Sequence, residues 1–471
     1  MKNFRKLYLK FQSSNDTKVV RLVDKVFIDV KAKPSCPSDE NVIIKQWGGQ
    51  VVDILDKNNL KDSSAIPNEL IELLRYVESL DVDDFKCSPP LQPGDITFNK
   101  IAGLYGLKES LEKTYINPFK YPRLFKNKPK GILLYGIPGG GKTLIAKAAT
   151  NQLPNVAFFA PTSGEIRGKY EGETEKNITS IFKCAERATC NKEYKNSIIF
   201  FDEFDSIAGR RGEDASMTRS VNTLLQSMDG ITSSENVSVL AATNFPDSID
   251  EAILRRFTSR VFVDVPDLES IEYIIRYELA KQYSNPDLEN VLDDIYIRKG
   301  NSVIFNDGAQ FILNITRLGN WPHSINLPQF IRNLAKRLTV NDVGRAVIED
   351  VKTKPGYNID TDERLYQSVK LFGYSPSDVT KLVNHAIDNA SKVVVTEPLI
   401  NFQINNEGGN SYYVATRNNT NIKLANIPPS NRDSIISFMI TPKDFDDAFS
   451  TFRSTINNRD YVRLLLYSLS N

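Results

Sequence analysis

A chain of 471 residues, 41% apolar and 25% charged, has the composition of a soluble globular protein and the length for two or three compact units. Lys and Arg number 59 against 58 Asp and Glu, so no global field points to nucleic acid or a membrane surface as the partner. No apolar run reaches membrane-spanning length and none of signal-peptide length follows the N-terminus. The 4 cysteines and 2 histidines lack metal-ligand spacing, which reads as reduced thiols in an intracellular, cytoplasmic protein, with the nucleus left open.

Residues 1–86 read as a separate small unit. The β-branched runs Lys18 to Val23, Lys25 to Val30 and Asn41 to Gln46 predict strands, and the spacing of Leu70, Ile71, Leu74 and Val77 predicts a helix from Asn68 to Leu80. An excess of basic residues in the first 33 suggests an acidic partner only weakly, and a solvated surface is the preferred explanation; the unit could also carry an adaptor contact. The proline-rich stretch 87–95 is a linker. From 96 to 266, apolar runs alternate with helical stretches, the pattern of a parallel α/β sheet. Residues 267–471 are mainly helical, with two polar insertions near 285–365 and 395–440. In the second, Tyr412-Tyr413-Val414 and Ile422 to Leu424 suggest a hairpin.

The chemistry concentrates in two places. Gly131 to Tyr135 is a buried-strand run leading into Gly136-Ile137-Pro138-Gly139-Gly140-Gly141-Lys142-Thr143, and a helix opens at Leu144. Glycines at those positions let backbone N–H groups wrap phosphates, and the helix start adds its positive end. Lys142 reaches the outer phosphates and the Thr143 hydroxyl suits Mg²⁺. A second apolar run, Ser197 to Phe201, ends in Asp202-Glu203. A carboxylate at the end of a core strand needs water, metal or a partner, so Asp202 reads as a second Mg²⁺ contact and Glu203 as the group that polarises an attacking water.

With these motifs the chain resembles the AAA ATPases, and within them the clade of katanin, spastin and the ESCRT-disassembly ATPases. The likeness runs from Ile96 to Leu104, through Pro118 to Phe125, Arg219 to Gly230, Ala241 to Asn244, Asp250 to Phe257 and Val261 to Asp267. It resumes at Gly373 to Val379 and at Asp444 to Asn458. The resemblance implies an α/β P-loop core with a parallel sheet flanked by helices, followed by a small helical lid, with the β-containing N-terminal unit in front. It implies ATP and Mg²⁺ as ligands, Ala102 and Gly103 on the adenine side, and Asn244 as the amide that senses the terminal phosphate. Arg255 and Arg256 match arginine fingers supplied to a neighbouring subunit, which implies a homo-oligomer, a hexameric ring. Lys169, Tyr170, Glu171 and Gly172 match the first pore loop, with Tyr170 the aromatic that grips a threaded polypeptide. Ile137, Gly140, Lys100 and Glu171 depart from the usual residues of these motifs. The function expected is ATP-driven remodelling of protein substrates, against two alternatives, a nucleic-acid loader or motor and a nucleotide-dependent scaffold.

Overall fold

The computed structural model describes residues 2–13, 19–21, 23, 40–57 and 66–79. It then describes 89–282, except for 92–93, 95, 126, 169, 171, 191–193, 213–214 and 231–235. Beyond these come 296–299, 302–305, 326–396 without 367–369, four strands between 401 and 438, and 440–470. The N-terminal unit contains helices α1 (Lys2–Gln12), α2 (Glu40–Lys57) and α3 (Asn68–Ser79). They share a core that includes Tyr8, Phe11, Trp47 and Leu70, and Tyr8 meets Trp47 edge-on at 5.9 Å.

This corrects the expectation of a β-containing unit: among its described residues there is no strand. Residues 41–46 lie inside α2, residues 19–21 are helical, and the stretch 25–30 lies outside the described residues. The reason is period. Ile44, Trp47, Val51 and Leu55 are all buried, at intervals of three and four. That stripe, carried on an 18-residue helix, outweighs the β preference of a short β-branched run.

The next unit begins with a helix, α4 (Tyr105–Leu111), and continues β1 (Gly131–Gly136), α5 (Lys142–Asn151), β2 (Val156–Phe159), α6 (Glu173–Cys190), β3 (Asn196–Phe201), α7 (Ala215–Gly230), β4 (Val237–Thr243) and β5 (Ser259–Val263). The five strands form one sheet in the order β2-β3-β4-β1-β5, and every neighbouring pair is parallel. Side chains alternate between faces: Ile132 and Leu134 join the layer of α4 and α5, whereas Leu133 joins that of α6 and α7. Both faces are covered, which is why these strands read as unbroken apolar runs. Because β1 lies between β4 and β5, the loops after β1, β4 and β3 emerge side by side at the carboxyl edge, where open α/β sheets bind ligands.

The C-terminal part contains α8 (Leu268–Gln282), the hairpin β6 (Tyr296–Lys299) and β7 (Ser302–Phe305), then α9 (Leu327–Leu338), α10 (Asp342–Thr353) and α11 (Pro376–Thr396). After α11 come β8 (Asn401–Glu407), β9 (Asn410–Thr416), β10 (Ile422–Lys423) and β11 (Ile435–Phe438), and the chain closes with α12 (Pro442–Thr451) and α13 (Asn458–Ser470). Helices α8, α9, α11 and α12 share one core. Within the stretch 285–365, expected as an insertion, α9 contributes Ile331, Leu334 and Leu338 to that core. The residues around 412 and 422 do form strands, but in a four-stranded sheet of order β10-β8-β9-β11 rather than paired with each other. A further cluster joins α10 and α13 to Tyr135 of β1. Cys184 of α6 is disulfide-bonded, which corrects the reading of all four thiols as reduced; its partner's side chain lies outside the described residues. Among the described residues, no helix is long and apolar enough to cross a membrane.

Candidate active site

The loop after β1 turns back on itself and opens α5 beneath it. Gly139 has φ +69°, and a Cβ there would come within 2.8 Å of Ser375 Oγ and 2.9 Å of Ser377 Cβ, so only glycine fits between the loop and the start of α11. The contact is completed by a hydrogen bond from Ser377 N to Gly139 O at 3.2 Å. Ile137 is buried, Pro138 is exposed, and Gly136 ends the strand.

Lys142, buried at 8% exposure, donates to Gly136 O at 3.1 Å, Ile137 O at 2.7 Å and Asn244 Oδ1 at 2.6 Å. Burial pulls its ammonium down to about 8, an effect that the carboxylates of Asp202 and Asp205 oppose. Thr143 Oγ1 donates to Asp202 Oδ2 at 2.6 Å. Glu203 is exposed, has a left-handed backbone at φ +49°, and donates its N–H to Asp202 Oδ1 at 3.0 Å. Strain in a non-glycine residue of this kind is tolerated where the surroundings impose it. The structure therefore brings together Lys142, Thr143, Asp202 and Asn244, contributed by the ends of β1, β3 and β4 and the start of α5.

Beside this cluster lies a cavity of about 670 Å³ lined by Ala102, Gly139, Gly140, Gly141 and Leu144 on one side and by Tyr273, Tyr277 and Thr380 of the helical part on the other. Gly103, at φ +56°, sits against Ser270, whose Oγ a Cβ would approach to 1.8 Å. The residues fit a nucleotide with Mg²⁺. Glycine-flanked backbone lies at the N-terminus of a 10-residue helix, with a buried cation next to it, which suits phosphate. A hydroxyl and a carboxylate already within hydrogen-bond distance suit a hard cation that keeps most of its waters.

Arg255 and Arg256 do not line this cavity. Arg255 is exposed and 3.6 Å from Glu251. Arg256 makes a two-pronged bond to Asp229 on α7, Nε to Oδ1 at 2.8 Å and Nη2 to Oδ2 at 2.9 Å. That pair holds the Asp229 carboxyl below its usual range and pushes Arg256 up. Tyr170 is 76% exposed on a turn fixed by Tyr170 N to Glu173 Oε2 at 3.1 Å and Gly168 N to Thr174 Oγ1 at 3.0 Å. Gly172 completes that turn, while Lys169 and Glu171 lie outside the described residues.

Sequence reasoning missed several contacts. Thr243 Oγ1 donates to Asp205 Oδ1 at 2.5 Å and accepts from Phe245 N at 2.9 Å, which fixes the backbone on both sides of Asn244. Neither the Asp229 partner of Arg256 nor the Ser377 contact with the phosphate loop has a local sequence signal, because both join residues far apart in the chain.

A parallel sheet whose first strand, β1, runs between β4 and β5 into a glycine-rich turn and a buried lysine, with a hydroxyl–carboxylate pair at its side, is that of a P-loop nucleotide-binding domain. More particularly, residues 132–265 match the ATPase family associated with various cellular activities (AAA), and the chain carries an ATPase domain of that family. Vacuolar protein sorting-associated protein 4A of Rattus norvegicus is 37% identical over 201 residues, 41% of this chain and 45% of that protein. Cell division protein C of Sulfolobus acidocaldarius is 36% identical over 224 residues, 43% of this chain and 59% of that one. Protein SUPPRESSOR OF K(+) TRANSPORT GROWTH DEFECT 1 of Arabidopsis thaliana is 37% identical over 205 residues, 41% and 46% respectively. The chain spans about half the length of these relatives.

Proposed function

We propose that the chain hydrolyses ATP as one subunit of a head-to-tail homo-oligomeric ring, a hexamer, that remodels protein substrates. The observation that carries the reading is the convergence of Lys142, Thr143, Asp202 and Asn244 at one edge of the sheet, within 2.6 Å hydrogen bonds of one another in pairs. In the nucleotide-loaded site Lys142 exchanges its two carbonyl acceptors and the Asn244 amide for phosphate oxygens. Thr143 and Asp202 would hold Mg²⁺, which when bound supplies charge neutralisation at those oxygens. Glu203 takes the proton of the attacking water, and Asn244, released from Lys142, orients that water against the terminal phosphate.

The residue still required is a cation on the far side of the phosphate. Arg256 lines no part of its own chain's pocket, so in this reading it serves the neighbouring subunit, with exposed Arg255 beside it. A heterologous interface of that kind forms a ring when its rotation closes, and the proposed hexamer is such a closure. Displacement of the lid from the phosphate loop would be passed through the core to Tyr170, whose exposed ring grips polypeptide without strict sequence demand. The N-terminal helical unit is the natural adaptor surface.

The test is a trap. Glu203→Gln protein, loaded with ATP in cells, should form a ring, retain ATP and co-purify with a protein client, while turnover falls at least about 100-fold. Turnover near the unaltered rate would refute the role of Glu203. A loaded ring holding nucleic acid, or no client at all, would replace remodelling by the loader or scaffold alternative.

A further inference from the structure

The last helix, α13, touches the phosphate-binding edge of the sheet at three places. Tyr461 Oη donates to Asp264 Oδ1 at 2.8 Å, just beyond β5. Tyr467 packs edge-on against Tyr135 of β1 with centroids 5.2 Å apart. Between them, the guanidinium carbon of Arg463 stands 5.5 Å from the ring centre of Phe245, and Arg463 Nε is 3.7 Å from Asp247 Oδ2. Phe245 and Asp247 belong to the short turn that directly follows Asn244.

Arg463 is held in an incomplete state. Its side chain is 40% exposed, but the Nε and Nη2 atoms are themselves covered and lack a hydrogen-bond partner; the nearest carboxylates, Asp247 and Asp460, are 3.7 and 3.9 Å away. Two covered N–H groups of a cation left without an acceptor favour an arrangement that brings a carboxylate to about 2.9 Å. Asp247 can supply it by a shift of under about 1 Å. Its backbone is anchored separately: Arg210 Nε and Nη2 donate to Asp247 O at 3.1 and 2.9 Å, and Ser248 Oγ donates to Phe245 O at 2.7 Å. A turn tied through its backbone and incompletely tied through the Asp247 side chain settles into a single position when the second contact closes.

We propose that Arg463 is a positioning residue for Asn244. By closing on Asp247 and stacking on Phe245, it fixes the turn that aims the Asn244 amide, so the C-terminal helix governs the hydrolytic step rather than nucleotide binding. This rests on the hydrolytic reading of Asn244 given above.

The experiment measures steady-state ATP hydrolysis and ATP affinity on the full chain, at protein concentrations where the rate per chain has stopped rising. Arg463→Ala should lower kcat about 10- to 100-fold, with KM and ATP affinity changed less than about threefold, the scale set by a misplacement of about 1 Å. Asp247→Asn should do the same. The double variant should be no worse than the more damaging single, because the two residues form one contact, and Arg463→Lys should recover part of the loss. Unaltered kcat in Arg463→Ala, a rise in KM that accounts for the whole effect, or strictly multiplicative losses in the double variant would overturn the proposal. Should Arg463→Ala fail to fold by thermal unfolding, Asp247→Asn carries the same test from the other side of the contact. The hydrolytic reading fails separately, and is recognised by an absence of turnover in the unaltered chain or by undiminished turnover in Glu203→Gln.

Discussion

Lys142 and Asn244 are bonded directly to each other, Nζ to Oδ1 at 2.6 Å. The group proposed to hold phosphate and the group proposed to orient water thus occupy one another in the structure described here, and loading the site must separate them. Asn244→Ala removes one of three acceptors that compete with phosphate for the ammonium. ATP affinity should therefore be retained or improve slightly, while turnover falls about 100-fold through loss of the amide. Equilibrium binding of labelled ATP and steady-state hydrolysis check the two halves, and a tenfold loss of affinity would contradict the competition.

Arg256, which lies outside its own chain's cavity, is likewise occupied by another side chain. Its two-pronged bond to Asp229 is half exposed, so it stabilises the resting chain only modestly, yet it fixes where the guanidinium points. Arg256→Ala subunits mixed with unaltered ones should suppress hydrolysis more than in proportion to their share, since each damages a neighbour's site. Asp229→Asn keeps the shape of the contact but loses its charge, and should change turnover of the assembled protein by about two- to tenfold without altering ATP affinity. A strictly proportional loss in the mixing series would mean that Arg256 acts on its own chain.

The sheet and phosphate loop were legible because each rests on a local pattern: Gly131–Tyr135 and Ser197–Phe201 are short apolar runs, and the glycines, Lys142 and Thr143 sit at fixed offsets. The N-terminal unit was misread because residues 41–46, taken alone, are β-branched enough for a strand. The decisive apolar positions, Trp47, Val51 and Leu55, lie further along. Asp229 and Arg463 were invisible as neighbours of the site for a different reason. Their roles arise only when α7 and α13 fold against residues 27 and more than 200 positions away, and no spacing rule carries that information.

Tyr170 projects from a turn whose hydrogen bonds use backbone N–H groups and the side chains of Glu173 and Thr174, none of which needs the phenol ring. With 76% of its surface exposed, its removal should leave folding stability within about 0.5 kcal/mol. Tyr170→Ala should hydrolyse ATP near the unaltered rate and lose at least about tenfold in unfolding of a client protein. Tyr170→Phe should restore the activity, because the proposed grip uses the flat ring and not the hydroxyl. Client unfolding followed by loss of fluorescence from a folded reporter, alongside ATP hydrolysis, separates the two; equal remodelling by all three proteins would remove Tyr170 from the proposed mechanism.

In the helical part, Arg364 joins two carboxylates: Nη2 donates to Asp350 Oδ2 at 2.7 Å and to Asp362 Oδ2 at 2.6 Å, and Nε to Asp362 Oδ1 at 2.9 Å. Tyr357 Oη also donates to Asp362, at 2.5 Å. The Arg364 hydrogen bonds, more than any other contact, hold the Asp362 carboxyl far below its ordinary 3.8. A carboxyl depressed in this way adds stability that is complete above its unfolded value and drains away as pH falls below 3.8 toward the folded value. At pH 7, Arg364→Ala should destabilise this region by about 1–3 kcal/mol, the scale of charge-assisted hydrogen bonds on a largely covered carboxylate. The deficit should shrink steadily below about pH 4, because the unfolded chains and the native variant take up a proton on Asp362 while the unaltered native protein keeps it ionised. Urea unfolding at pH 7 and pH 3 reads this directly. A deficit that stays constant between the two would assign the loss to packing of the Arg364 stem rather than to its charge.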